Sequence, residues 1–337
     1  MPHVTGPFYV DGVPITPVDF FGGKAYFLDY VNGANGNDGS CEYPWKTLEF
    51  ANAHPNLRDG RGDVVLIKSG DHGTTYTQRL TDAVTISKDN MHLIGLGAGS
   101  PLSSRARISE LSGFSIDAGE SLFTVSAHNS VFENIAFYQA SNVINAACVH
   151  VTGNRNVFRN CHIAGITGAT AGADDGGCSL YVQGSENLFE DCTIGLSTIG
   201  RSAASAELRI ARLSGTGANR NIFRNCRFVT WATNAGHFFV QWALNGATQT
   251  QAVNDTDDWT LFDNCSFIGR LIGTGCATMT YAMNMKSDIN GVVFLKDCAF
   301  AGVTDIVTGD PSTRVYATRP VTTQGGVAGL FTPTATT

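Results

Sequence analysis

Two pairs of adjacent acids, Asp174-Asp175 and Asp257-Asp258, have the clearest capacity for chemistry in this chain. Two carboxyl groups at a set separation cleave glycosidic bonds, one as acid and one as base or nucleophile. Several carboxylates around one groove would instead hold calcium. Both pairs stand in loop-like stretches, ITGATAGADDGG at 166–177 and ALNGATQTQAVNDTDD at 243–258. Neighbours on a strand point to opposite faces, and in a loop their directions are unread, so both pairs read as solvated loop acids. A second charged cluster, Arg201, Glu207, Arg209 and Arg212, runs through RSAASAELRIAR. Alternation there puts Glu207 and Arg209 outward and Leu208 and Ile210 inward, which suits a strand face.

The other chemical signals are weaker. Asn35-Gly36-Asn37-Asp38-Gly39 offers oxygen ligands but lacks the spaced acids and final Glu of a calcium loop. Arg61-Gly62-Asp63 matches an adhesion tripeptide, yet it enters a strand-like run, where Gly and Asp serve as turn residues. Gly95-Leu96-Gly97-Ala98-Gly99 echoes a phosphate loop without its lysine and reads as a coil corner. His162 takes an outward position with no Ser, Cys or Asp partner in sequence. The nine cysteines are odd in number and contain no CxxC pair, so they read as reduced and mostly buried. No catalytic residue, metal ligand or cofactor is assigned on these grounds. Trp231, Trp242 and Trp259 flank the largest insertion and keep open an enzyme that cleaves polysaccharide.

What must position these residues is a phrase written six times. It reads SVFENIAF at 130–137, NVFRNCHI at 156–163, NLFEDCTI at 187–194, NIFRNCRF at 221–228, TLFDNCSF at 260–267 and VFLKDCAF at 293–300. Successive copies start between 26 and 39 residues apart. A constant phrase at uneven spacing implies a fixed coil with variable loops, the pattern of a parallel β-helix. Strand side chains alternate between faces. The Phe column (Phe132, Phe158, Phe189, Phe223, Phe262, then Leu295) therefore points inward, as do the Cys column and the closing Ile/Phe column. The turn column is Asn134, Asn160, Asp191, Asn225, Asn264 and Asp297. Asn and Asp tolerate the left-handed backbone a sharp corner needs, and an inward side-chain ladder is expected there. The outward column is Glu133, Arg159, Glu190, Arg224, Asp263 and Lys296, every member charged in a chain only 15% charged. Its sign alternates at each step, as adjacent coils require if their charges are to attract.

Residues 25–310 are therefore expected to form one solenoid of about 10 coils, preceded by an arm at 1–24 and followed by an arm or disordered tail at 311–337. Trp45 to Ala53 reads as a short helix capping the open end. The fold class is all-β: a right-handed single-stranded parallel β-helix with a short N-terminal capping helix and extended terminal arms. The net charge of −7 argues against duplex nucleic acid as partner, and no 18-residue apolar run suggests a membrane span.

The stretch YFLDYVNGANGNDGSCEYPWKTLEFA, with the coil phrases, resembles the pectate-lyase-like superfamily of right-handed parallel β-helices. That fold hosts lyases, hydrolases and binding proteins alike. More narrowly, VTGPFYVDGVPIT, GRGDVVLIKSGDHGTT and ISKDNMHLIGLGAGSP resemble β-helical capsid decoration, or cement, proteins of bacteriophages. The resemblance implies a virion structural protein on the capsid exterior, made in the host cytoplasm, with the major capsid protein and itself, as a homotrimer, for partners. Phe8, Tyr9 and Val10 would then be capsid-contact anchors. The alternative is a tailspike-like polysaccharide depolymerase or a glycan-binding protein.

Overall fold

One coil, followed residue by residue, shows how the phrase becomes structure. Val157–Arg159 is a strand, Asn160 turns the chain, His162–Ile166 is a second strand, and Cys178–Val182 is a third. The next copy of the phrase then returns to lie beside the first. Repeated along the chain, this builds three parallel sheets of ten, nine and eight strands: eight coils give one strand to each sheet, an end strand on either side adds to the first, and Gly200–Arg201 adds to the second. The protein is a right-handed parallel β-helix. The computed structural model describes residues 8–10, 13–15, 23–69, 77–97, 106–112, 114–166, 168–211, 217–242, 258–270, 275–285, 291–308 and 314–318.

The ten-stranded sheet carries the first half of every phrase, in strict register. Phe132 pairs with Phe158, Phe158 with Phe189, Phe189 with Phe223, Phe223 with Phe262, and Phe262 with Leu295. The five rings form one buried stack, with centroids 4.7, 4.9, 4.8 and 5.0 Å apart. Interplanar angles of only 7–15° mean that successive coils are hardly rotated. Sheets of this flatness are usually held by side-chain ladders. The nine-stranded sheet repeats the device, with Phe228, Phe267 and Phe300 stacked at 4.6 Å.

The cysteine column lines the corner between these sheets. All nine cysteines carry free thiols. Each repeat thiol donates to the carbonyl of the Phe one coil earlier: Cys161 to Phe132, Cys192 to Phe158, Cys226 to Phe189, Cys265 to Phe223 and Cys298 to Phe262, at 3.2–3.4 Å. Burial pushes the Cys161 and Cys226 thiols well up, as for small apolar residues with a weak donor.

The turn column has the left-handed backbone, with φ between 49° and 57° at Asn134, Asn160, Asp191, Asn225, Asn264 and Asp297. The inward ladder expected of these side chains is not formed: they lie half-buried or exposed. A residue at positive φ ends the pleat, so period-two alternation does not carry through it. Neighbours still bond at the surface, Asn160 Nδ2 to Asn134 Oδ1 at 2.7 Å and Asn264 Nδ2 to Asn225 Oδ1 at 2.9 Å.

The buried amide ladder is formed instead by the first Asn of the phrase. Asn156 Oδ1 accepts from Ser130 N at 2.9 Å while its Nδ2 donates to Ala127 O at 2.8 Å. Asn187 clamps Asn156 N and Gly153 O in the same way, and Asn221 clamps Asn187 N and Gly184 O. Each amide thus satisfies one donor and one acceptor of the preceding coil, deep inside the protein. Asn187→Ala leaves both groups of that coil unpaired, and a loss of about 2–3 kcal/mol is expected in denaturant unfolding. A loss under about 0.5 kcal/mol would show that water replaces the clamp.

At the N-terminal end the helix begins later than expected, at Leu48–Ala53, because Thr47 is its N-cap and accepts from Phe50 N at 3.3 Å. Trp45 is fully buried and stacks on Tyr26 at 4.7 Å, closing the stack. Gly39, at φ +81°, is required there, since a Cβ would stand 2.6 Å from the Trp45 ring. Part of the expected arm is regular: the backbone of Phe8–Val10 pairs antiparallel with Val13–Ile15. At the other end Val315–Ala317 adds to the ten-stranded sheet beside Val292–Lys296, so the coils run past the boundary expected at 310.

Candidate interaction face

The outer face of the ten-stranded sheet is three residues wide and many coils long. Its centre is an apolar column, the residue directly before each Phe: Val131, Val157, Leu188, Ile222, Leu261 and Phe294, in register from coil to coil. The first five are partly exposed, as a flat face allows, and Phe294 is 37% exposed. One edge is the predicted charge column, which forms an unbroken chain of ion pairs. Arg159 meets Glu133 at 3.6 Å and Glu190 at 3.1 Å; Arg224 meets Glu190 at 3.6 Å and Asp263 at 3.4 Å; Lys296 meets Asp263 at 2.9 Å. The bond from Lys296, with help from Arg224, holds the Asp263 carboxyl below its usual range.

The other edge carries a second ladder. Arg155 meets Glu186 at 2.6 Å, Arg220 meets Glu186 at 2.7 Å, and Arg220 meets Asp258 at 3.0 Å. Bonds from Arg220 and Arg155 hold the Glu186 carboxyl below its usual range. Exposed pairs of this kind are screened by water and contribute little, so the ladders fix register more than they stabilise. Reasoning from the sequence missed both the second ladder and the apolar column. Their signal was present: the position before Phe reads V, V, L, I, L, F, and two positions earlier comes Arg155, Glu186 or Arg220.

The described members of the second charged cluster, Arg201, Glu207 and Arg209, are buried in the structure. Glu207 and Arg209 do not face outward into solvent but are both buried. Glu207 is enclosed by Gly195, Ser179, Arg201, Thr230 and His237, so the 195–205 insertion closes over the strand. Arg201 Nε bonds Glu207 Oε1 at 3.2 Å and Thr230 Oγ1 donates to the same oxygen at 2.8 Å. Burial opposes the charge on Glu207, yet Arg201, His237 and Ser179 outweigh it and bring its pKa to about 2. Ser205 Oγ lies 3.1 Å from His237 Nδ1, and His237 Nε2 lies 3.6 Å from Glu207, a Ser-His-acid order. All three are buried, burial lowers the His237 pKa, and among the described residues the group forms a packed polar network.

Of the two acid pairs the structure describes Asp174, Asp175 and Asp258. Asp174 Oδ2 accepts from Asn145 N at 2.6 Å, and the Asp175 carbonyl accepts from the Arg209 guanidinium. Asp258 belongs to the second ladder, while Asp257 and Arg212 lie outside the described residues. Asn35 Oδ1 accepts from Lys46 N and Thr47 N, and Asp38 Oδ1 accepts from Ser40 N, so this loop uses its oxygens on its own turn. Asp63 is buried and accepts from Lys24 N and Arg58 N at 2.8 Å each and from Arg61 at 2.6 Å. Gly95 is not at a corner but in the strand His92–Leu96, where a Cβ would stand 2.2 Å from Asn134 O. His162 is buried, with Nε2 at 3.3 Å from Gly195 O. Trp242 is fully buried, and Trp231 is covered by Arg270 at 4.4 Å. Among the described residues no group of three or more His, Cys, Asp or Glu is placed to hold a metal ion. The side chains of Phe8, Tyr9 and Val10 lie outside the described residues.

Comparison with known proteins gives the fold and stops there. No family model matches the chain, and no curated protein matches it. Among solved structures, a pectin methylesterase in complex with a hexasaccharide is similar with a TM-score of 0.54, at 15% identity over 87% of each chain. A rhamnogalacturonan lyase is similar with a TM-score of 0.53, at 16% identity, over 82% of this chain and 68% of that one. The fold is shared. At such identities the likeness extends to the coil and not to any site.

Proposed function

We propose that this protein is a virion structural component that decorates the exterior of a bacteriophage capsid, acting by surface contact and not by turnover. The observation that carries the proposal is the division of labour among its polar groups. Glu207 and Asp174 are committed to internal bonds and Asp258 to a ladder, while one long flat face is laid out with an apolar centre and charged rims. Interfaces have that layout, with apolar contact at the centre and polar groups around it. A stiff body with terminal segments reaching the major capsid protein would gain its hold from several weak contacts at once.

The test is the copy number of this chain in purified virions, by quantitative mass spectrometry against the major shell protein. A number comparable to the shell protein is expected. A few copies per particle would instead make it a tail or spike component and turn attention to polysaccharide cleavage. Absence from the virion would overturn the proposal.

A further inference from the structure

The two ladders run in phase. In four successive coils both rims carry the same sign: Arg155 with Arg159, Glu186 with Glu190, Arg220 with Arg224, Asp258 with Asp263. The face is therefore banded, with positive and negative rows alternating about every 4.8 Å along the axis. Within the chain this order is satisfied by neighbouring coils. It also constrains what can lie against the face. A second copy with its axis parallel and its coils level would set like rows against like, and like charges placed opposite one another repel.

An antiparallel copy behaves differently. Consider a twofold axis along the strand direction, midway between the Glu190 and Arg224 coils. It places Glu190 opposite Arg224 of the second copy, Arg159 opposite Asp263, and Glu133 opposite Lys296. On the other rim it places Glu186 opposite Arg220 and Arg155 opposite Asp258. Every row meets its opposite because the sequence of signs is antisymmetric about that point. The same operation lays Leu188 on Ile222 and Val157 on Leu261, burying the apolar column against itself. On one edge the connection to the next sheet is one or two residues, one of them left-handed, so the chain does not rise above the face there.

We infer that the outer face of the ten-stranded sheet binds a second copy of this chain, antiparallel and face to face, about a twofold axis between the Glu190 and Arg224 coils. The contact is isologous, with each rim meeting the same rim of its partner. Six coils span about 29 Å. Three side chains wide, the contact buries roughly 1,000 Å² in total, the low end for specific pairs, so binding in the micromolar range is expected. The charge order favours this antiparallel twofold pairing of the face over a parallel one. The inference concerns the purified chain alone, so it stands or falls independently of any place in a virion.

The test uses sedimentation velocity of the full chain at low salt across the micromolar range. The wild type is expected to be a monomer–dimer mixture, with dimer lost as salt screens the rows. Glu190→Arg alone and Arg224→Glu alone each set like charges across the axis twice and are expected to weaken the dimer roughly tenfold or more. An equal mixture of the two variants restores opposite charges at both places and is expected to regain the dimer. Should either variant fold poorly, cross-linking decides. In a Cys41→Ser background, Val157→Cys mixed with Leu261→Cys should yield an oxidised heterodimer, and neither should yield a homodimer alone. A wild type that stays monomeric, a trimer, no recovery on mixing the folded charge variants, or Val157→Cys linking to itself would each overturn the inference.

Discussion

Replacing Arg201 by methionine is expected to cost about 3–5 kcal/mol at neutral pH, because it strands the Glu207 carboxylate without its cation in a fully buried site. Ser179, Thr230 and the His237 ring still lie against that carboxylate, but burial disfavours the charged imidazole, and neutral groups do not offset the desolvation of a full charge. The pH dependence gives a second check. Glu207 has a folded pKa of about 2 against an ordinary value of 4.5. A depressed carboxylate contributes stability that is fully present above its unfolded pKa and is lost as pH falls through its folded one. The wild type should therefore shed a few kcal/mol between about pH 5 and pH 2 from this group alone. In Arg201→Met burial is left to act on the carboxyl, which then takes up a proton more readily, so the gap between variant and wild type narrows in acid. Denaturant unfolding at several pH values measures both effects. A loss below about 1 kcal/mol at neutral pH would mean that the cluster is hydrated and the pair weak. The double change Arg201→Met with Glu207→Met should recover part of the loss, since an apolar pair of similar volume replaces a buried ion pair at little cost.

Phe189→Ala should be nearly as damaging, at about 3–5 kcal/mol. Phe189 is the middle ring of five, stacked on Phe158 at 4.9 Å and on Phe223 at 4.8 Å. Truncation opens a cavity bounded by two rings that the flat backbone holds in place, so collapse to fill it is limited. A solenoid passes stress only to neighbouring coils, and the damage should be local. Hydrogen exchange should rise in the coils holding Phe158 and Phe223 and stay unchanged near Trp45. The matched control is Phe294→Ala, an outward ring on the same sheet, expected to change stability by less than about 1 kcal/mol in the monomer. Equal losses for the two variants would contradict the inward assignment of the Phe column.

Much of the fold was legible because neighbouring coils repeat one phrase. The same residue types recur at the same positions, so each column can be read down the chain and its chemistry compared from coil to coil. Alternating charge from Glu133 to Lys296 is informative for that reason, and the ion pairs follow the same order. The first strand, the capping helix and the burial of Trp45 depend on short-range signals, Thr47 as a cap and Gly39 as a turn, that are also written locally.

Tertiary structure decided the rest. Whether the first or the second Asn of a phrase enters the core depends on a backbone angle: positive φ at Asn160 breaks the alternation that counting in twos assumes, and leaves the interior to Asn156. Whether Glu207 meets solvent depends on the 195–205 insertion, whose path no periodicity describes. The third strand of each coil lacks a constant phrase because loops of different length precede it, and its register appears only when the coils are stacked. By itself the sequence determined the coil, its inward rings and the order of charge along one face, since those follow from periodicity and pairwise attraction. Which polar groups are sealed inside, and that two in-phase ladders border one apolar strip, came from chain segments distant in sequence meeting in space.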